Sequence, residues 1–402
     1  MGSVRGDAHA GRLLLSAAGI AKLSVQSLAT KTVKTYTSAG NKFLSFWEWH
    51  SGQPRLASFD KLPVSASSEW ITSAFVAWAV DVDGIAPESA RNYVMGVRTL
   101  FKLMGRGRLL SVMKDSLPSL VITGAKNAYP ERRAPAKRAV TVAIVRRVVR
   151  WVRYGSDWPP LVRALFAALM LIDITTGHRM AELLYDRDVQ LGSTIGAFQS
   201  ISSDADFQPA SLARAMQQQH QGPWALTTFD TKTRKRGEPF LSVIVNVGAA
   251  PDMCPATALR EYWGARVTYA GIRASWSQDS LMFVDETGQP MSTHRFRKLF
   301  HSALDEAGIE DGETFTPHGM RVGAATALAA VGIPADVRAA IIGWAATANT
   351  GNVTMLSRYT RLSLETVVRA QRAIILLGEP VTLLELTTAA QRARPKRVQF
   401  HQ

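Results

Sequence analysis

The sequence predicts a mainly α-helical protein with a small antiparallel β-sheet, organised as a helical N-terminal domain followed by an α+β domain. Three observations carry that expectation. The 402 residues exceed what one small hydrophobic core organises. Apolar residues recur at helical spacing through most of the chain. One stretch alone, WALTTFDTKT, then RKRG, then PFLSVIVNV, reads as two β-rich segments around a turn.

Residues 1–20, rich in Gly, Ala and Ser, are expected to be disordered. Over 21–125 three segments place apolar residues on one helical face: Val33, Tyr36, Phe43, Leu44 and Trp47; then Trp70, Ile71, Ala74, Phe75, Trp78 and Val82; then Ala90, Tyr93, Val94, Val97, Leu100, Phe101 and Met104. The third is entered through Pro87-Glu88-Ser89 and stopped at Gly105. Residues 126–139 (KNAYPERRAPAKRA) read as an extended basic linker broken by Pro130 and Pro135. In the second domain, 140–380, helices are expected at 141–154, 161–172, 255–269, 294–307, 322–330, 335–342 and 364–377, with a short strand near 188–191. The polar, Gln-rich stretch 193–222 reads as a surface insertion. A basic tail, 381–402, closes the chain.

Composition narrows the partners. Lys and Arg number 47 against 32 Asp and Glu, a net charge of +15. Such an excess favours polyanions, because neutralising phosphates releases condensed counterions. The charge is patterned too. Arg91, Arg98 and Lys102 align along one side of the third helix, and Lys31, Lys34 and Lys42 along the first. Between Glu131 and Arg153 stand eight basic residues, among them Arg132, Arg133, Lys137 and Arg138, and one acidic residue. Cys254 is the single cysteine, which excludes an intrachain disulfide and a multi-cysteine zinc cage; it reads as a packed, inert thiol. The longest apolar run, Ala164–Ile172, falls well short of the roughly 20 residues that span a bilayer, and no leader pattern opens the chain. A soluble, intracellular protein is expected, with a polyanion such as DNA among its candidate partners.

Four stretches concentrate chemistry: TTGHRMAEL (175–183), FDTKTRKRGEP (229–239), TPHGMRVGAAT (316–326) and IIGWAATANTGNVTMLSRYTR (341–361). Each alone has an ordinary reading, such as an Arg179–Glu182 pair or a histidine satisfied at a helix start. Together, and in this order, they resemble the tyrosine recombinase family, which includes the phage integrases and the recombinases of some mobile elements. The pattern is an Arg in a TGxR turn followed by Glu (Arg179, Glu182), a Lys on a β-hairpin (Lys232), an HxxR pair (His318, Arg321), a His or Trp after Gly (Trp344 after Gly343), and a Tyr (Tyr359). It spans 160–375. The tryptophan at the second His/Trp position is shared with the Cre-like members. The stretch between Trp344 and Tyr359 is longer than is common in the family.

The resemblance implies a helical core-binding domain and a catalytic domain that clamp DNA between them. It implies a reaction needing no metal and no cofactor, and a homotetramer on two DNA sites, with a dimer on each. It assigns Tyr359 as the nucleophile, Arg179 and Arg321 as phosphate ligands, His318 and Trp344 as further donors, Lys232 as the proton donor to the leaving oxygen, and Glu182 as support. Arg234, Lys235 and Arg236, on the hairpin turn, join the basic residues above as candidate DNA contacts. Two other readings stay open: a type IB topoisomerase or telomere resolvase, which uses similar residues, and an inactive DNA-binding protein of the same fold. A metal-dependent transposase would need converging carboxylates, and Asp81 with Asp83, or Asp186 with Asp188, are too weakly placed to support one.

Overall fold

A computed structural model describes residues 30–106, 116–132, 138–185, 192–200, 223–228, 240–268, 277, 279–343 and 364–376. The chain divides into two compact units, Met1–Pro135 and Ala136–Gln402.

The first unit is a helical bundle: α1 (Thr30–Ser51), α2 (Glu69–Asp81), α3 (Pro87–Leu103) and α4 (Leu117–Ala128). Ser68 starts α2 by accepting the Ile71 N–H at 3.2 Å, and Pro87 opens α3 at a position whose missing N–H breaks no helical bond. The aromatic residues of the three apolar stripes meet in the core. Phe43 lies 5.1 Å from Phe75 and 5.6 Å from Phe101, both edge-on, an arrangement that suits ring quadrupoles. α1 and α3 approach closely because Gly96 faces Ala39, where an added Cβ would sit 2.6 Å from the alanine methyl. Trp70 and Val82, which share the apolar period of α2, are instead 68% and 59% exposed; the buried face runs through Phe75, Val76, Ala79 and Val80. The helix α4 has no counterpart in the sequence reading and takes in Lys126–Ala128, which were expected to be linker.

The second unit is built around one buried helix. α5 (Val142–Tyr154) is capped by Thr141, and α6 (Pro160–Thr176) is buried along its length from Leu165 onward. A helix apolar on all sides has to be surrounded. Around α6 lie α5, a three-stranded antiparallel sheet of β1 (Phe198–Ser200), β2 (Trp224–Thr228) and β3 (Phe240–Ile244), and the helices α8 (Pro255–Thr268), α10 (Pro317–Ala330) and α12 (Leu364–Leu376). α7 (Met180–Leu183), α9 (Thr293–Glu306) and α11 (Ala335–Ile342) complete the unit. β2 pairs with β3 in the register Trp224↔Ile244 and Thr228↔Phe240, as the hairpin reading requires. β1 extends the sheet through Phe198↔Leu226, so the start of the stretch read as a surface insertion is a strand, with Phe198 fully packed. The thiol of Cys254 is buried and accepts the Val247 N–H at 3.2 Å. The strand expected at 188–191, the disorder expected over 1–20 and the basic tail fall outside the described residues.

The two helices that matter most for the site are placed by glycine. Gly177 ends α6 in the left-handed conformation (φ 63°), and its N–H returns to the Asp173 carbonyl at 2.7 Å. On α10, a Cβ at Gly319 would lie 2.6 Å from the Arg138 carbonyl, and one at Gly323 would collide with the Val140 carbonyl oxygen. Backbone therefore packs on backbone here. Gly323→Ala should destabilise the second unit by about 3 kcal/mol, the upper range of overpacking, because the obstacle is main chain and not a movable side chain. Chemical denaturation of the full chain checks this, and a midpoint matching wild type would contradict the close approach.

Candidate active site

Arg179 stands at the N-terminal edge of α7, immediately after the turn that closes α6. Glu182, three residues on, reaches back to it twice: Oε2 accepts the Arg179 backbone N–H at 3.0 Å and Oε1 accepts from Nη1 at 2.6 Å. His178 Nδ1 lies 3.2 Å from the same Oε2. This is one half of a capping box, since the arginine at the cap has no acceptor to return the bond, and one carboxylate holds both the turn and the guanidinium. Burial alone would raise the Glu182 pKa. The bonds from His178 and from Arg179 outweigh burial and bring it down to about 2, so Glu182 is ionised at neutral pH.

Arg321 arrives from α10. Its side chain is 3% exposed, and Nη1 donates to the carbonyl oxygen of Gly177. Nη2 is buried and has no hydrogen-bond partner among the described residues. Burial lowers the Arg321 pKa most, and the Arg179 charge lowers it further, while Glu182 and Asp173 oppose both. An arginine starts high enough to stay protonated through this. Mutual repulsion means that the two guanidiniums share one electrostatic neighbourhood, although 142 residues of chain order separate their helices from one another in sequence. His318, one helical turn before Arg321, is exposed in the first turn of α10, where free backbone N–H groups favour anions.

The structure thus brings together Arg179, Glu182 and Arg321, with His318 on the same helix as Arg321. Lys232, Trp344 and Tyr359 lie outside the described residues, as do Arg133, Lys137, Arg234, Lys235, Arg236 and the side chain of Lys31. The chain before Trp344 is in place: Gly343 ends α11 in the left-handed conformation (φ 68°), and Ile342 packs against Gly177.

The phage integrase family model matches residues 253–365, which include α10 and α11. That match covers 113 of the 402 residues, all of them in the second unit. No curated protein matches it in sequence. Among solved structures it is similar to the XerH site-specific recombinase bound to palindromic difH substrate in a post-cleavage complex, at 16% identity and a TM-score of 0.51, covering 81% of this chain and 76% of that one. A lambda integrase dimer bound to a COC′ core site matches at 13% identity and a TM-score of 0.45, covering 83% of this chain and 73% of that one. The Tn1549 transposon integrase in complex with transposon right end DNA matches at 14% and 0.46, covering 88% and 98%. At such identity the likeness to XerH concerns the fold.

The candidate DNA-contacting residues divide by what they already touch. In the first unit, Lys34 and Lys42 line a surface cavity of about 550 Å³ on α1, and Lys42 also pairs with Asp83 at 2.8 Å. Arg91 and Lys102 on α3 are exposed, Arg98 is half-buried, and none of the three forms an ion pair with a described residue. Arg132 instead donates to the Val80 carbonyl at 2.5 Å and lies over the Tyr129 ring, and Arg138 pairs with Asp311 at 3.1 Å. Two residues that frame the arginine pair were not singled out in the sequence: His178, whose four-residue offset from Glu182 was the available signal, and Asp173, hidden in the apolar run of α6.

The depressed Glu182 pKa makes a pH prediction. A carboxylate whose folded pKa lies below its unfolded value stabilises fully above the unfolded pKa, and that stabilisation disappears as pH falls through the folded one. Between the usual value of 4.5 and about 2, this amounts to something on the order of 3 kcal/mol. Wild type should therefore exceed Glu182→Gln in stability at neutral pH, with the gap closing between about pH 5 and pH 2. Thermal unfolding across that range measures it, and a pH-independent gap would contradict the ionised box.

Proposed function

We propose that this chain is a site-specific DNA recombinase that cleaves and rejoins DNA through a covalent link to Tyr359, using neither metal nor ATP. The observation that carries the reading is the pairing of Arg179 and Arg321, one anchored by Glu182 and the other by the Gly177 carbonyl, with Nη2 of Arg321 unused.

Attack on a phosphodiester builds negative charge on the non-bridging oxygens at phosphorus. Two guanidiniums that are fixed before the substrate arrives meet that charge with little reorganisation. In this reading His318 and Trp344 donate to the same oxygens. The Tyr359 phenol, with an ordinary pKa near 10, is favoured as phenolate by the surrounding cations. Its oxygen forms a bond to phosphorus, the bond from phosphorus to the 5′-oxygen breaks, and Lys232 gives that oxygen a proton. A 3′-phosphotyrosyl link results. Because it conserves the phosphodiester energy, a 5′-hydroxyl of a second duplex reverses the step and joins the strands. The working assembly is a homotetramer on two duplex sites, a dimer on each, acting on DNA inside the cell. A topoisomerase of the same chemistry would rejoin a strand only to itself, so transfer between two labelled duplexes separates the two activities.

Tyr359→Phe should abolish the covalent adduct on nicked suicide substrates cut from the flanks of its own gene, while DNA binding persists; an adduct that survives the change removes the assignment. Arg321→Ala should slow cleavage by roughly 10²–10³-fold, about 3–4 kcal/mol, the loss typical of a preorganised donor. Single-turnover cleavage measures it, and an unchanged rate would argue against the clamp. Affinity for DNA should also fall steeply with salt, since the contacts are largely to phosphates.

A further inference from the structure

Asp173 is the one ionisable side chain fully buried in α6, at 0% exposure. Neither carboxyl oxygen has a hydrogen-bond partner among the described residues. An ionised carboxylate in that situation is heavily penalised, since a buried charge needs hydrogen bonds as well as an opposite charge. It also sits at a revealing place. The Asp173 carbonyl receives the Gly177 N–H, and the Gly177 carbonyl receives Arg321, so the acid lies on the turn of α6 that anchors the second arginine. The charged groups acting on it are Arg321 from α10 and Glu182 from α7; α5, α8, α12 and the sheet, which also pack on α6, bring none among the described residues.

We propose that Asp173 is carried as a neutral acid beside Arg321, and that its proton keeps the phosphate clamp cationic. With Glu182 ionised and Asp173 neutral, the pair Arg179 and Arg321 retains a net positive charge. Were Asp173 to ionise, the two carboxylates would cancel the two guanidiniums, leaving little field for a developing phosphorane charge. Burial pushes the Asp173 carboxyl well above the usual carboxylate range; Arg321 opposes this and the Glu182 charge adds to it. Asp173 is thus a positioning residue, acting on the scissile phosphate only through Arg321.

The proposal rests on the recombinase reading for its consequence but not for its physical content, and Asp173→Asn tests the two separately. An acid with a raised folded pKa makes the folded state bind more protons than the unfolded one. Stability is therefore lost as pH rises from the unfolded pKa, near 4, toward the folded value. The full chain carrying Asp173→Asn should melt higher than wild type at neutral pH, with a margin that widens from about pH 5 to pH 8. A variant that melts lower at every pH would mean that Asp173 serves as an ionised partner of Arg321, and would overturn the proposal whatever the protein does to DNA. In single-turnover cleavage of nicked suicide DNA, the ratio of variant to wild-type rate should climb as pH rises. A flat ratio, with wild type forming adducts normally, would overturn the coupling to the clamp. Absence of any wild-type adduct would overturn the recombinase reading instead, while the melting series would still decide the state of Asp173.

Discussion

The bond from Arg321 to the Gly177 carbonyl is the constraint on which the site depends. It joins α10 to the turn after α6, and it does so with a residue proposed to hold the scissile phosphate. A buried guanidinium is costly unless its donors are satisfied, and a helix C-terminus supplies the remedy, since its last carbonyls lack intrahelical partners. The left-handed Gly177 exposes that carbonyl where a continuing helix would have hidden it. The same geometry leaves one nitrogen bound to the protein and another, Nη2, buried without a hydrogen-bond partner among the described residues.

Arg179 is held differently. Its partner Glu182 is only three residues away, so the pair is a local device that forms with the turn itself, whereas Arg321 depends on two distant helices docking correctly. The local box also explains why an anion is tolerated beside a phosphate site. Glu182 spends its oxygens on the Arg179 backbone, the Arg179 side chain and His178, and its charge is absorbed there. The guanidinium keeps its remaining donors in a fixed orientation, which is what a bidentate hold on phosphate requires.

Much of this was legible in the sequence, and the exceptions have physical causes. The helices of the second unit follow apolar periodicity and proline or glycine punctuation closely, from Thr141 capping α5 to Gly177 closing α6. Helix α10 begins earlier than its apolar pattern suggests, at Pro317, because its first turn interleaves the polar His318 and Arg321 with the buried Pro317, Gly319 and Met320. β1 escaped notice because three residues at the edge of a polar stretch carry no period; only pairing with β2 makes them a strand. α4 escaped because its apolar residues, Val121 and Ile122 among them, are few and lie between a proline and a glycine. The pairing of the two arginines was inferred from motif order, and no local rule yields it. Arg321 near the Gly177 carbonyl is a tertiary fact. Asp173 was invisible for the opposite reason: within LMLIDITT a single acid reads as an interruption of a core helix, and its meaning lies in what packs over it.

Backbone contact between α10 and the segment at 138–140 completes the logic. Two glycines, Gly319 and Gly323, sit one turn apart on the face of α10 that meets Arg138 and Val140, and the Val140 N–H bonds the Gly319 carbonyl at 3.0 Å. Side chains there would hold α10 away from the core by the width of a methyl group or more. Arg321 lies between these glycines in sequence, so such a displacement would be transmitted directly to its guanidinium. A shift of about 1 Å is enough to spoil alignment with a reacting phosphorus. The small residues of α10 therefore fix how deep the Arg321 guanidinium sits, and with it the spacing from Arg179 on which the proposed phosphate clamp relies.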